Sequence, residues 1–193
     1  MDIVADLMKQ AAAGDNLAQI SKAVGGDANA VRSALGMGLP MIVGSMATTA
    51  AKPDGAGVLS AMMAQAGGSS PLDNTGGFLG GSQAAAGPAM ISTLFGSQLA
   101  PVQNAIAQKT GLPPEVVGRV LAIAAPMVLA SVGKMMAGQK ADAAGLTGLL
   151  GEQSAAALAR SPDAAALMQQ LMGAQPAAGS GSIAGKFKKM LGK

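Results

Sequence analysis

The sequence has no cysteine, no histidine, no tryptophan and no tyrosine, and it has only three phenylalanines among 193 residues. Without cysteine the chain has no disulfide bonds and no thiolate chemistry, and without histidine it lacks the commonest general base and transition-metal ligand. Charged residues make up only 12% of the chain, against roughly 25% in an ordinary soluble domain. So few charges favour self-association, and the net charge of +3 is too small for an extended nucleic-acid surface.

Small and flexible apolar residues make up for the missing aromatic ones. Half of the chain is apolar, and there are 14 methionines and 28 glycines. A core built from alanine, leucine, valine and methionine requires helices that approach each other closely. Because alanine and methionine favour helix and the alternation typical of strands is missing, the composition predicts an all-α fold.

One segment occurs twice, since residues 20–51 align without a gap with residues 106–137. A proline falls inside the apolar pattern of each segment, at Pro40 and at Pro126. We therefore predict two pseudo-repeated helical units with about 8–10 helices in total, each with a central helix that is kinked or broken by its proline. The identical pairs are Ile20 and Ile106, Gly25 and Gly111, Val31 and Val117, Leu35 and Leu121, Pro40 and Pro126, Met41 and Met127, Ser45 and Ser131, and Ala51 and Ala137.

Capping residues and turn residues predict where the elements begin and end. Asp27 is expected to cap the first central helix, and Pro113-Pro114-Glu115 and Ser161-Pro162-Asp163 are expected to start two later helices. Pro88 suits a first helical position. The predicted organisation is an N-terminal helical repeat (1–66), a Gly/Ser-rich linker (67–87), a C-terminal helical repeat (88–173), and a flexible tether with a short basic amphipathic helix (174–193).

Two stretches with few charges raise the question of membrane spans. Nineteen uncharged residues separate Arg32 from Lys52, but only 14 separate Arg119 from Lys134, fewer than the ~20 that a spanning helix needs. Because the two stretches belong to equivalent units, both are predicted to be buried core helices. The N-terminus lacks the layout of a signal peptide, so we expect a cytoplasmic protein.

Residues 87–152 carry a resemblance to a known family, and the first repeat carries it more weakly. The residues that carry it are Leu94-Phe95-Gly96, Val102, Ile106, Thr110-Gly111-Leu112, Val117, Leu121 and Ala125-Pro126-Met127-Val128-Leu129. On these residues the chain resembles the YidB-like bacterial family of small all-helical proteins, a domain of unknown function. The resemblance departs at Val24-Gly25-Gly26, where the second repeat has Thr110-Gly111-Leu112. It implies a helical fold and a bacterial origin, and it implies no reaction.

Six methionines are candidates for an adaptable apolar groove that would accept a helix or a lipid chain. The alternative is that they fill a core that is short of aromatic side chains. They are Met41, Met62, Met63, Met127, Met135 and Met136.

The C-terminal segment is basic and amphipathic. Docking into a protein groove, contact with a membrane surface and a solvated tail are all open interpretations. Its apolar face consists of Ile183, Phe187, Met190 and Leu191, with Lys186, Lys188 and Lys189 around it.

The segments 20–35 and 106–121 have the shape of a helix-turn-helix. A recognition helix must present polar and basic side chains to DNA, whereas each second helix here carries one arginine, Arg32 or Arg119, before it becomes apolar. A packed helical corner is therefore the favoured interpretation, and DNA contact through these arginines is the alternative.

No arrangement of residues predicts catalysis. Most carboxylates stand at predicted helix starts, and Ser45 and Ser131 are expected to bond to their own helices. No cofactor or metal is predicted. We expect a non-enzymatic helical interaction or self-assembly module, acting as a homo-oligomer or with a protein partner. DNA binding and peripheral membrane or lipid binding through the C-terminal segment are the alternatives, of which a nucleic-acid partner is disfavoured.

Overall fold

The computed structural model describes residues 3–11, 15–66, 82–139 and 143–173, and every regular element in this part of the chain is helical. This confirms the predicted all-α fold. A 3-10 turn, Gly96–Gln98, joins the fifth α-helix to the sixth. The α-helices are α1 (Ile3–Ala11), α2 (Asp15–Val24), α3 (Ala28–Ala50), α4 (Gly55–Ala66), α5 (Ser82–Phe95), α6 (Leu99–Thr110), α7 (Pro114–Gln139), α8 (Ala143–Arg160) and α9 (Pro162–Gly173).

The two central helices, α3 and α7, form the middle of the fold. All other described α-helices contact α3, and α1, α2, α4, α5 and α6 contact α7 as well. Residues 37–44 of α3 and residues 120–130 of α7 are buried without interruption. A helix that is apolar on all sides must be enclosed on all sides, which explains why these two segments take the central positions. One hydrophobic core includes residues of all the described α-helices.

Both central helices are long and apolar enough to cross a membrane by length and composition alone. In the fold, 67% of the apolar 18-residue stretch of α3 and 72% of the corresponding stretch of α7 are buried. This burial agrees with the prediction of core helices. Core helices of soluble proteins can have the same length and composition as membrane spans. The cytoplasmic location stays a prediction.

Three-residue turns connect α2 to α3 and α6 to α7. Gly25 and Gly111, which end α2 and α6, have φ angles of +76° and +73°. This left-handed conformation suits glycine because it has no Cβ. Asp27 caps α3 as predicted, since its carboxylate accepts hydrogen bonds from the amides of Asn29 (3.0 Å) and Ala30 (3.1 Å).

Pro40 and Pro126 lie inside continuous helices, so the predicted alternative of a break at these prolines is wrong. Proline has no amide hydrogen, and each ring leaves the carbonyl four residues earlier without its helical donor. The first such carbonyl, on Gly36, accepts a hydrogen bond of 3.2 Å from the Ser161 hydroxyl. The second, on Ala122, lies against the backbone of Gly87. Neighbouring elements therefore occupy the places where each helix loses a hydrogen bond.

The start of α5 corrects the predicted linker at 67–87. The helix begins at Ser82, and Pro88 lies inside it instead of in its first turn. Two local features explain the earlier start: residues 83–86 are one glutamine and three alanines, which favour helix, and Gly87 lets this turn approach α7 closely. Residues 67–81 lie outside the described residues. The division into two pseudo-repeated units stays a prediction.

Candidate functional site

A pocket of about 330 Å³ opens between α3, the end of α5, the 3-10 turn, the start of α6, and α9. Its floor is buried and apolar, and its rim is exposed and polar. Its size lies at the lower end of the range for ligand sites in proteins. The residues that line it are Met41, Ser45, Thr48, Thr49, Lys52, Thr93, Leu94, Phe95, Gly96, Ser97, Gln98, Val102 and Met168.

The C-terminal half of α3 supplies one side of the pocket. Met41, Ser45 and Thr48 recur every three or four residues, which places them on one face of the helix, and Lys52 follows two residues after the helix ends. Met41 is 1% exposed, whereas Thr48 and Lys52 are exposed. This face therefore runs from an apolar floor to a polar, positively charged mouth.

The opposite side is built where the chain passes from α5 to α6. Leu94 and Phe95 end α5 and are buried, and Val102 of α6 is 1% exposed. Gly96 has a φ angle of +53°, and this left-handed residue turns the chain between the two helices. Three apolar side chains thus meet Met41 at the floor, below Thr93 and Ser97 at the rim.

The helix α9 supplies the last wall through Met168. A Cβ atom placed on Gly44 would lie 2.5 Å from Cε of Met168, so the absence of a side chain at Gly44 lets the methionine rest on α3. An ion pair between Lys109 and Asp163 (2.9 Å) joins the start of α9 to α6. Together with the Ser161 hydrogen bond, these contacts fix α9 beside the pocket.

Three hydroxyl groups of the lining donate to carbonyls of their own helices. Ser45 donates to Ile42 (2.8 Å), Thr48 to Gly44 (3.0 Å), and Thr93 to Ala89 (2.9 Å). Thr49 differs from its neighbour Thr48. It is only 9% exposed, yet within the described residues its hydroxyl has no hydrogen-bond partner. Because buried polar groups in proteins are nearly always paired, this hydroxyl requires an explanation.

The six methionines predicted to form a groove do not line one surface. Met41, Met62 and Met127 are buried in the core, and Met63, Met135 and Met136 are half-buried against it. Of the six, Met41 alone lines the pocket. The burial of these residues favours the alternative interpretation, in which methionines fill a core that lacks aromatic side chains.

The two helix-turn-helix-like corners pack against each other. A Cβ atom placed on Gly26 would lie 3.2 Å from both Leu112 and Val116. Arg32 and Arg119 are exposed near the starts of α3 and α7, but the middle of each helix is enclosed by the fold. A partner such as DNA could reach these helices at their exposed ends, which include Arg32 and Arg119, and not along their buried middles. DNA contact stays a prediction. The predicted docking segment, Ile183–Leu191, lies outside the described residues.

This pocket was not among the predicted sites. A signal was present in the sequence, because Ser45 and Thr48 place a polar stripe on one face of an otherwise apolar helix, and Lys52 follows this stripe after the helix ends. The prediction that Ser45 and Ser131 bond to their own helices is confirmed, since Ser131 donates to Met127 (3.0 Å) as Ser45 does to Ile42. What the stripe faces depends on Thr93, Val102 and Met168, which are distant in sequence.

The profile of a bacterial protein family of unknown function, DUF937, matches residues 6–135, about two thirds of the chain. The chain belongs to this family. The resemblance to YidB-like proteins is consistent with membership of DUF937. No curated protein and no solved structure matches the chain.

The DUF937 match covers twelve of the thirteen lining residues of the pocket. Met168 is the exception, because α8 and α9 follow the matched range. The family match therefore covers most of the pocket, and α9, which follows the matched range, supplies one wall.

Proposed function

We propose that the protein is a non-enzymatic helical interaction module whose binding site is this pocket, and that the pocket accepts an apolar group. The observation that carries the proposal is the buried floor of Met41, Leu94, Phe95 and Val102 beneath an open polar rim. The floor residues form an open apolar concavity between the helices. Covering it removes apolar surface from water, which favours binding by about 25 cal/mol per Å².

The chemistry of the lining supports binding over catalysis. Lys52 is the one ionisable residue among the thirteen, and three of the hydroxyls donate to their own helices. The lining therefore offers these hydroxyls no carboxylate or imidazole base to activate one as a nucleophile.

Titration of the full-length protein with 1-octanol, an uncharged apolar probe, tests this function by calorimetry and by amide NMR shifts. We expect saturable binding with shifts concentrated at residues 41–52 and 93–98. Thr93→Leu places a larger side chain over the floor and should weaken binding strongly. Ser92→Leu is the matched control, because Ser92 is the exposed neighbour on α5 that does not line the pocket. Absence of saturable binding, or equal losses in both variants, would refute the proposal.

Self-association is a second candidate function, favoured by the uncharged surface of α4 and α5. Neither helix contains a charged residue, and Val58 of α4 is 42% exposed. A face of this kind can meet a second copy without desolvating charges.

Light scattering after size exclusion tests self-association on the wild type and on Val58→Glu. Ala18→Glu, at an exposed position of the charged helix α2, is the control. An oligomer that only Val58→Glu dissociates supports assembly through α4. The same measurement on a 1–179 truncation shows whether the C-terminal segment is required, and a monomer under all conditions excludes self-assembly.

A further inference from the structure

The polar mouth of the pocket carries one charge and no opposing charge. Lys52 is exposed directly after the end of α3, and none of the thirteen lining residues is a carboxylate. The ammonium group therefore has no acidic partner in the pocket. A ligand with a negative group at the mouth would supply that partner.

The buried hydroxyl of Thr49 is a second, independent indication of a polar ligand. Thr48 donates to the Gly44 carbonyl, but within the described part of the chain Thr49 makes no comparable bond at its side chain. Both residues line the pocket, and Thr49 is the buried one. Because buried hydroxyls are nearly always paired in proteins, a ligand oxygen that accepts the proton of Thr49 would supply the partner that the protein does not.

We infer that the pocket binds a small amphipathic carboxylate, with its apolar body on the floor and its carboxylate between the Lys52 ammonium group and the Thr49 hydroxyl. This inference rests on the proposed function and adds the chemical class of the ligand. The floor residues Met41, Leu94 and Val102 provide no polar group, so the apolar end of the ligand lies there. Met168 closes the wall next to Gly44 and limits the length of the apolar body.

Calorimetric titration of the full-length protein with sodium octanoate, 1-octanol and octylammonium chloride tests the inference. The three probes have the same apolar body and differ in the charge of the head. We expect octanoate to bind more tightly than octanol by about fivefold, and octylammonium to bind most weakly, because ion pairs near the surface have modest free energies. The preference for octanoate should decrease at high salt, which screens the exposed charge of Lys52.

Two variants and their matched controls identify the groups that recognise the head. Lys52→Gln should lower the octanoate affinity about fivefold and leave octanol binding unchanged, while Lys134→Gln, an exposed lysine outside the pocket, should change neither. Thr49→Val keeps the shape of the side chain and should also weaken octanoate binding. Thr48→Val should have little effect, because the Thr48 hydroxyl already donates to Gly44.

The possible results separate this inference from the proposed function. If octanol binds as tightly as octanoate and Lys52→Gln has no effect, the carboxylate inference is wrong and the apolar binding site remains. If Lys134→Gln weakens octanoate as much as Lys52→Gln does, the preference reflects overall charge and the inference is also wrong. If Thr49→Val and Thr48→Val change the octanoate affinity equally, the hydrogen bond from the Thr49 hydroxyl to the carboxylate is excluded. If no probe binds, both the inference and the proposed function fail.

Discussion

Pro40 and Pro126 occupy aligned positions in the two central helices, but their surroundings differ. Each proline leaves the carbonyl four residues earlier without a helical donor. In α3 the carbonyl of Gly36 receives a hydrogen bond from Ser161, a residue 125 positions away. In α7 the carbonyl of Ala122 lies against Gly87, so closely that a Cβ atom at that position would overlap it.

In both helices another group lies against the carbonyl that lost its helical donor, but the kind of group differs. A hydroxyl group restores a hydrogen bond to Gly36, whereas at Ala122 the close approach of another backbone fills the space. The first depends on hydrogen bonding and the second on the absence of a side chain. We therefore expect the two sites to respond differently to substitution.

The largest effect is expected at Gly87. Gly87→Ala would place a methyl group against the backbone of Ala122. The backbone of a helix cannot move aside as a flexible side chain can. We expect a loss of about 3 kcal/mol or more in the free energy of unfolding, at the upper end of the range for overpacking, measured by urea denaturation. Gly57→Ala is the control, because nothing lies within 4 Å of its added Cβ, and it should stabilise α4 by about 0.5–1 kcal/mol. Equal values for the two variants would contradict the close approach of α5 to α7.

A smaller effect is expected at Ser161. Ser161→Ala leaves the Gly36 carbonyl without a donor and should lower the free energy of unfolding by about 1–2 kcal/mol. Pro40→Ala restores an amide hydrogen at the position that normally donates to Gly36. In the Pro40→Ala background we therefore expect the cost of Ser161→Ala to fall to about 0.5 kcal/mol or less, which a double-mutant cycle measures. A cost that is the same in both backgrounds would show that Ser161 acts through other contacts.

The smallest effect concerns the two turns, where the central helices are entered in similar ways. Gly25 and Gly111 have nearly equal positive φ angles, and no atom lies within 4 Å of a Cβ placed on either. Because only the backbone conformation opposes a side chain there, Gly25→Ala and Gly111→Ala should each cost about 1 kcal/mol in thermal or urea unfolding. A difference of more than about 0.5 kcal/mol, beyond the usual scatter between independent sites, would mean that the turns are not equivalent.

Several helix ends were predictable because their causes are local. Asp27 caps α3 through amides two and three residues ahead, and the proline pair at 113–114 marks the start of a helix that begins at Pro114. The start of α5 was not predictable from Pro88, because Gly87 and its contact with α7 contribute to the helix there. In the same way, methionine content indicated an apolar surface but did not separate Met41, at the pocket, from Met127, in the core.

The sequence by itself determined the all-α fold and the starts of the two apolar central helices, after Asp27 and at Pro113-Pro114, because helix propensity, capping and apolar composition act within a few residues. It left open whether each helix continues through its proline. Only the tertiary structure decided which groups meet the carbonyls of Gly36 and Ala122, and that Lys52 and Thr49 share a pocket with Val102 and Met168. These contacts depend on how distant helices cross, and the crossing is set by side-chain shapes on both surfaces at once.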